Sequence, residues 1–249
     1  MTKLASTIKP AVVRIEAQSP QGTSVGTGFL VSTQGHVITC WHVVSFYSID
    51  NNGALQFDYS NNITANLNGK LHRADVIHRQ TTDGPYTSDF AVLKIDLSGT
   101  PYLSLGDYDD VEQGDEVCFM GYPRAYAEAF FGAGHVSALR SVPSHFNQMI
   151  KIDAIEIDAS INKGNSGGPL VDSDTGKVVG IVTLRHGDIT PALRELRDYF
   201  SSWPKKGGLL ETTALELINL AERNTNIGLG TAISIRYAKD ELKALGFKV

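Results

Sequence analysis

The chain predicts an all-β protein, a barrel or a sandwich, and three observations carry that prediction. About a dozen short apolar runs are separated by turn residues, the punctuation of a sheet protein. Glycines outnumber prolines, 24 to 9, as a chain with many tight turns requires. The 249 residues are 42% hydrophobic and 20% charged, enough to bury a core without a disulfide or a metal.

The elements follow in order. Ala11–Glu16 is a β-branched run closed by Ser19-Pro20. Gly28–Ser32 and Gly35–Thr39 flank Thr33-Gln34-Gly35 and read as a hairpin. Between 50 and 70, Asn and Gly separate short apolar runs. Phe90–Ile95 and Val117–Met120 are strands, the second followed by the turn Gly121-Tyr122-Pro123. Ile150–Ile157 alternates apolar and polar residues, as a half-buried strand does. Val178–Leu184 is almost wholly apolar and belongs in the middle of a sheet.

From about 186 to 225 the pattern becomes helical. Thr190 can cap a helix and Pro191 suits its first position. Leu193, Leu196 and Phe200 follow at helical spacing until Trp203-Pro204 and Gly207-Gly208 break it. Leu215, Ile218 and Ala221 mark a second helix that ends near Asn224–Asn226. A last strand, Gly230–Ile235, precedes a C-terminal helix over Ala238–Leu245, with Gly246 as its cap.

Charge and motif content narrow the function. With 22 basic and 27 acidic residues the net charge is -5, which argues against a nucleic-acid partner. Cys40 and Cys118 belong to no CxxC pair, and no HExxH or P-loop occurs, so neither metal nor organic cofactor is expected. No apolar stretch reaches a membrane-span length of roughly 18 residues, so no membrane partner is expected. Residues 1–20 lack an apolar leader, from which a cytoplasmic location is expected.

One segment carries chemistry. Asp158-Ala-Ser-Ile-Asn-Lys-Gly-Asn-Ser-Gly-Gly-Pro-Leu170 sets Ser166 among small, turn-forming neighbours that let backbone approach a substrate carbonyl. A serine needs a base to become a nucleophile, and the base needs an orienting acid. His42, just after the strand Val37–Trp41, is the leading base among seven histidines. His36, His72, His78, His135, His145 and His186 have less suitable contexts. Asp89, just before the strand Phe90–Ile95, is the leading acid; Asp83 reads as a turn residue and Asp96 as a solvated strand end. Gly164-Asn165-Ser166-Gly167-Gly168 also fits the nucleophile elbow of α/β-hydrolases. That fold wants its acid and histidine after the serine, and only His186 follows.

These residues carry a resemblance. TGFLVSTQGHVITCWHVV (27–44), SDFAVLKI (88–95) and DASINKGNSGGPLV (158–171) resemble the His, Asp and Ser motifs of trypsin-like serine proteases, most closely the HtrA/Deg branch. The resemblance extends to Pro10–Val13, to Gly114–Val117 with Gly121–Pro123, and to Asn226–Ile233. It implies two six-stranded antiparallel β-barrels, residues 1–108 and 109–249, with the helical insertion at about 186–225 in the second. It implies a serine endopeptidase with protein or peptide substrates. Ser166 would be the nucleophile, His42 the base and Asp89 the orienting acid. Gly164, Asn165 and Ser166 would form the oxyanion hole. Ser160, Ile161, Thr183, Leu184, Arg185 and Gly228 would line the specificity pocket. Ser160 stands where cleavage after Lys or Arg would want an Asp, so small or medium apolar P1 residues are expected. The alternative is a latent or partner-activated module that acts mainly by binding protein, with the insertion as contact for a regulatory protein or a second copy.

The chain also departs from that family's pattern. Lys163 replaces Pro before Gly164, Cys40 replaces Ala near the base, and no PDZ domain follows the barrels. The plain expectation for Cys40 is a buried small residue.

Overall fold

The computed structural model describes residues 1–20, 22–49, 55–77, 88–123, 126–144, 149–185, 195–196, 199, 213–218 and 228–247. Its strands close into two six-stranded antiparallel barrels. The first holds β1 (Val12–Ser19), β2 (Gly22–Leu30), β3 (His36–Thr39), β6 (Asn62–Leu67), β7 (Lys70–Val76) and β8 (Ala91–Ile95). The hairpin expected at 33–35 pairs β2 with β3, Phe29 opposite Ile38. Closure comes when β6 returns to β1, Ile63 opposite Ala17. Along β6 Ile63, Ala65 and Leu67 point inward, the period-two alternation of a sheet with one wet face. β4 (Ser45–Ile49) and β5 (Leu55–Tyr59) form a separate two-stranded sheet.

The second barrel holds β9 (Glu116–Gly121), β10 (Phe130–Pro143), β11 (Lys151–Ile157), β12 (Pro169–Asp172), β13 (Val178–Arg185) and β14 (Gly230–Ser234). β13 lies between β12 and β14, which accounts for its almost wholly apolar sequence. β10 gives the sequence little to read: of its 14 residues only Val136 is buried, so no apolar alternation marks it.

One apolar cluster fills the first barrel and continues across the seam through Cys118, Met120, Val171 and Ile181 of the second. A second cluster, built on Phe119, Ile155, Ile157, Ile161, Leu170 and Val182, fills the other barrel.

Helices are few. α1 (Thr2–Ile8) is unannounced in the sequence and has no capping side chain, yet Ile8 is fully buried. Burying such a side chain contributes about 1.5–3 kcal/mol, and Leu4 and Ala5 pack against the same core. α2 (Trp41–Val44) is a single turn after β3. α3 (Arg236–Ala244) begins two residues before its expected start. Its end is a Schellman motif: Gly246 N–H donates to Lys243 O and Phe247 N–H to Leu242 O, both 2.9 Å. Phe247 then lies against the His36 ring in the first barrel, centroids 4.3 Å apart.

Within the insertion 213–218 are helical and Ile218 is buried, in keeping with the second helix. The expected helix start at Thr190-Pro191, the apolar positions Leu193, Phe200 and Trp203, and the end near 224–226 lie outside the described residues.

Candidate active site

Three separate segments meet at the seam between the barrels. β3 ends at Thr39, and the chain passes through Cys40 into α2, which presents His42. Asp89 precedes β8 and holds a positive φ of 49°. This left-handed conformation is rare for a residue with a Cβ, and Asp is among the few that tolerate it. Bonds from α2 hold it there. Trp41 N–H donates to Asp89 O at 3.2 Å and His42 N–H to Asp89 Oδ1 at 3.1 Å. His42 Nδ1 faces Asp89 Oδ2 at 2.8 Å.

The second barrel adds a donor of its own. Thr183 Oγ1 donates to Asp89 Oδ2 at 2.5 Å. Sequence reasoning places Thr183 in the pocket wall; the structure also makes it a clamp on the acid. No local signal marks that role, because the partners are 94 residues apart.

The nucleophile loop is fastened to both barrels. Thr27 N–H donates to Ser166 O at 2.8 Å, and Thr27 Oγ1 donates to Gly164 O at 2.6 Å. Gly167 N–H donates to Val182 O at 2.7 Å. Two glycines make this possible. Gly164 has φ +101° and Gly167 φ +88°. A Cβ on Gly167 would lie 2.1 Å from Thr27 O and 2.4 Å from Thr39 Oγ1. Thr27, fully buried, is a positioning residue that the sequence alone does not single out.

Ser166 Oγ donates to Thr183 O at 3.1 Å, and among the described residues no hydrogen bond joins it to His42. The N–H groups of Gly164 and Ser166 donate no hydrogen bond among the described residues. The Asn165 N–H differs: it is committed to Asn162 O at 3.0 Å, closing a turn, so Asn165 is not a free oxyanion donor. Its side chain is buried with Oδ1 unpaired, beside the backbone of Gly121.

Burial and charge compete over the His42–Asp89 pair. Burial pushes the His42 imidazole down, but the Asp89 carboxylate outweighs it and holds the ring well above its ordinary 6.5. Burial pushes Asp89 up, while His42 and the bonds from His42 and Thr183 bring it below its ordinary value. Burial raises the Cys40 thiol to about 11, with the Asp89 charge adding to the effect. Cys40 is fully buried, as expected, and its Sγ donates to Val182 O at 3.3 Å.

A cleft of about 430 Å³ opens beside these groups, lined in part by His42, Ile161, Gly164, Ser166 and Thr183. Ile161 is buried and fills the space that a Cβ on Gly230 would need, Cδ1 at 2.2 Å. A Cβ on Gly228, by contrast, would meet open space. Ser160 is exposed at the start of the loop. Leu184 and Arg185 continue β13 opposite Thr231 and Gly230. Asp96, the strand-end acid, is exposed, and the rival Asp83 lies outside the described residues.

Comparison with known proteins places this arrangement. A family model described as trypsin-like peptidase domain matches residues 26–181, more than half of the chain. A probable periplasmic serine endoprotease, DegP-like, of Halomonas elongata is 33% identical over 171 residues, 67% of this chain and 30% of the relative. The Xenopus tropicalis serine protease HTRA1 is 33% identical over 72% of this chain and 36% of the relative. The chain thus spans about a third of the curated relatives it matches. The HtrA-type protease AlgW, solved with a tripeptide, is 27% identical with a TM-score of 0.66 over 98% of this chain and 62% of that one. A Mycobacterium tuberculosis protease in its active form shares the fold, with a TM-score of 0.68 at 21% identity over 99% of this chain and 85% of that one.

These relatives correct the expected cytoplasmic location. Those from Halomonas elongata, Marinomonas and Chlamydia pneumoniae are named periplasmic, which points outside the cytoplasm. The expectation rested on residues 1–20 lacking a leader. Leaders are removed from mature secreted proteins, so that absence does not report location.

Proposed function

This chain belongs to the trypsin-like peptidase family, and on that premise we propose that it is a serine endopeptidase working through Ser166, His42 and Asp89. The observation that carries the proposal is the coupled unit at the seam. Asp89 takes bonds from His42 on one barrel and Thr183 on the other, and Ser166 opens on the same cleft. Two domains, 1–108 and 109–249, would each contribute part of the site.

Ser166 Oγ leaves Thr183 O, turns to His42 Nε2 and attacks the peptide carbonyl. His42 takes the proton and returns it to the leaving amine, while Asp89 holds the tautomer and stabilises the imidazolium. The His42 side chain is 42% exposed, so Nε2 can meet a substrate. The N–H groups of Gly164 and Ser166 receive the oxyanion; losing one such donor costs about 10²–10³ in kcat. Buried Ile161, with no carboxylate at Ser160, supports small or medium apolar P1 residues such as Ala, Val or Leu.

Fluorophosphonate labelling tests the reading. Wild type is expected to label, and Ser166→Ala and His42→Ala are not; labelling that persists in Ser166→Ala overturns it. A peptide library cleaved best after Lys or Arg overturns the P1 assignment.

A second reading has one observation in its favour. Ser166 Oγ rests on Thr183 O rather than on His42, as a latent enzyme would hold it. The 186–225 segment leaves at β13 and returns to β14, where a regulatory partner or a second copy could act on the site. Labelling of wild type only after peptide or partner is added, and loss of that dependence on deleting 188–222, would favour it.

A further inference from the structure

Cys40 has no part in the proposed reaction, yet it adjoins its base. The Cys40 sulfur, one ring nitrogen of His42 and one carboxylate oxygen of Asp89 all lie within 4.8 Å of one another. A thiolate, an imidazole and a carboxylate form a donor set suited to zinc-like cations. We propose that Cys40, His42 and Asp89 form an inhibitory site for a thiophilic divalent cation of the zinc and cadmium type. The inhibition rests on the proposed role of His42 as base; the binding does not.

The nitrogen–oxygen pair stands near what such an ion takes, while the sulfur, within 4.8 Å of both, has to leave Val182 O and close in by about 1 Å. Zinc bonds run about 2.3 Å to sulfur and about 2.0–2.2 Å to nitrogen and oxygen, so tetrahedral donors stand roughly 3.2–3.8 Å apart. His42 Nδ1 and Asp89 Oδ2, 2.8 Å apart across a proton, need to open by no more than about 1 Å. Cys40 has no exposed surface, so the ion enters past the half-exposed His42 ring.

The exchange balances. The Cys40 S–H bond breaks, the metal–sulfur bond forms and that proton goes to solvent. The metal takes Nδ1 of a neutral His42; the Nδ1 proton is lost to solvent and Nε2 takes one up. From the neutral ring one proton is released per ion and the ring changes tautomer; from the charged ring, which Asp89 favours, the Nδ1 proton also leaves and two are released. Nε2 then carries a hydrogen and cannot accept the proton of Ser166, so hydrolysis stops. Magnesium and calcium, which favour all-oxygen sites, would not compete.

The test titrates cadmium into the full chain and follows the ultraviolet cadmium–thiolate charge-transfer band, with peptide hydrolysis measured in parallel. The band is expected in wild type, in Ser166→Ala and in Cys118→Ala. It should vanish in Cys40→Ala, and His42→Ala should bind at least about tenfold more weakly. Circular dichroism confirms that each variant is folded. Cys40→Ala is expected to hydrolyse peptide like wild type and to need at least about tenfold more cadmium for half-inhibition. No band in wild type, a band that persists in folded Cys40→Ala, or equal inhibition of Cys40→Ala and wild type each overturns the proposal. Ser166→Ala keeps the two readings apart. A wild type that cleaves nothing even with peptide or partner added, while Ser166→Ala still binds cadmium through Cys40, would overturn proteolysis and leave the metal site standing.

Discussion

Two histidine–aspartate pairs in this molecule are wired alike and placed differently. In each, the aspartate accepts its histidine's own backbone N–H and faces that histidine's Nδ1. The distances are 3.1 and 2.8 Å for His42–Asp89, and 2.5 and 3.3 Å for His135–Asp158. Their surroundings diverge. His42 and Asp89 are 42% and 15% exposed and Asp89 takes a third donor from Thr183, whereas His135 and Asp158 are 59% and 50% exposed, just beyond the bulge between β10 and β11. Asp158 is held below its ordinary value mainly by the His135 backbone N–H. For Asp89 burial is the largest influence and acts upward, so the His42 charge and the converging bonds must overcome it. Withdrawal from water strengthens the coupling, because charges interact more strongly where the effective dielectric is low.

The strongest way to break this comparison is to neutralise each acid in turn. Asp89→Asn is expected to lower kcat for peptide hydrolysis by about 10⁴, the loss typical when the tautomer is no longer held. Asp158→Asn is expected to leave kcat within about twofold, as suits an exposed pair. Steady-state kinetics on one apolar-P1 peptide checks both.

The pH profile sharpens the contrast. His42 must be neutral to accept a proton, and Asp89 holds it charged to a higher pH than its ordinary 6.5. The acid limb of kcat/KM for wild type is therefore expected above 6.5. Asp89→Asn should move that limb to lower pH, and Asp158→Asn should leave it in place. A limb unmoved in Asp89→Asn would contradict the coupling.

Thr183→Val removes the donor that the His42–Asp89 pair has and the His135–Asp158 pair lacks. A carboxylate left short of one partner costs about 1–3 kcal/mol, read as a lower urea midpoint, with a fall in kcat of about tenfold.

The smallest effect belongs to the exposed pair. Asp158→Asn is expected to cost less than about 1 kcal/mol at neutral pH. The folded Asp158 sits below its ordinary value, so its contribution is present above that value and fades as pH falls through the folded one. Denaturation of wild type and variant should thus converge in acid.

Much of this molecule was legible one segment at a time. The alternation in Ile150–Ile157, the apolar run Val178–Leu184 and the turn at 33–35 each announced an element the structure contains. Ser166, His42 and Asp89 stood out by local context, and the structure brings the three segments to one cleft. β10 was not legible, because a strand with one buried residue of 14 carries no periodic signal. Neither was α1, which has no capping side chain and meets the core through Ile8, Leu4 and Ala5. The roles of Thr27 and Thr183 were hidden because their hydrogen-bond partners are 137 and 94 residues away.

By itself the sequence determined the all-β class, the positions of those strands and turns that carry a local signal, and the residue types available for chemistry. Those depend on side-chain period and on local backbone freedom. Only the tertiary structure decided that β6 closes on β1, that β13 lies between β12 and β14, and that Thr183 clamps Asp89. It also decided that Cys40 stands within reach of both His42 and Asp89. These are contacts between distant parts of the chain, and burial, which sets their strength, exists only once both barrels have closed.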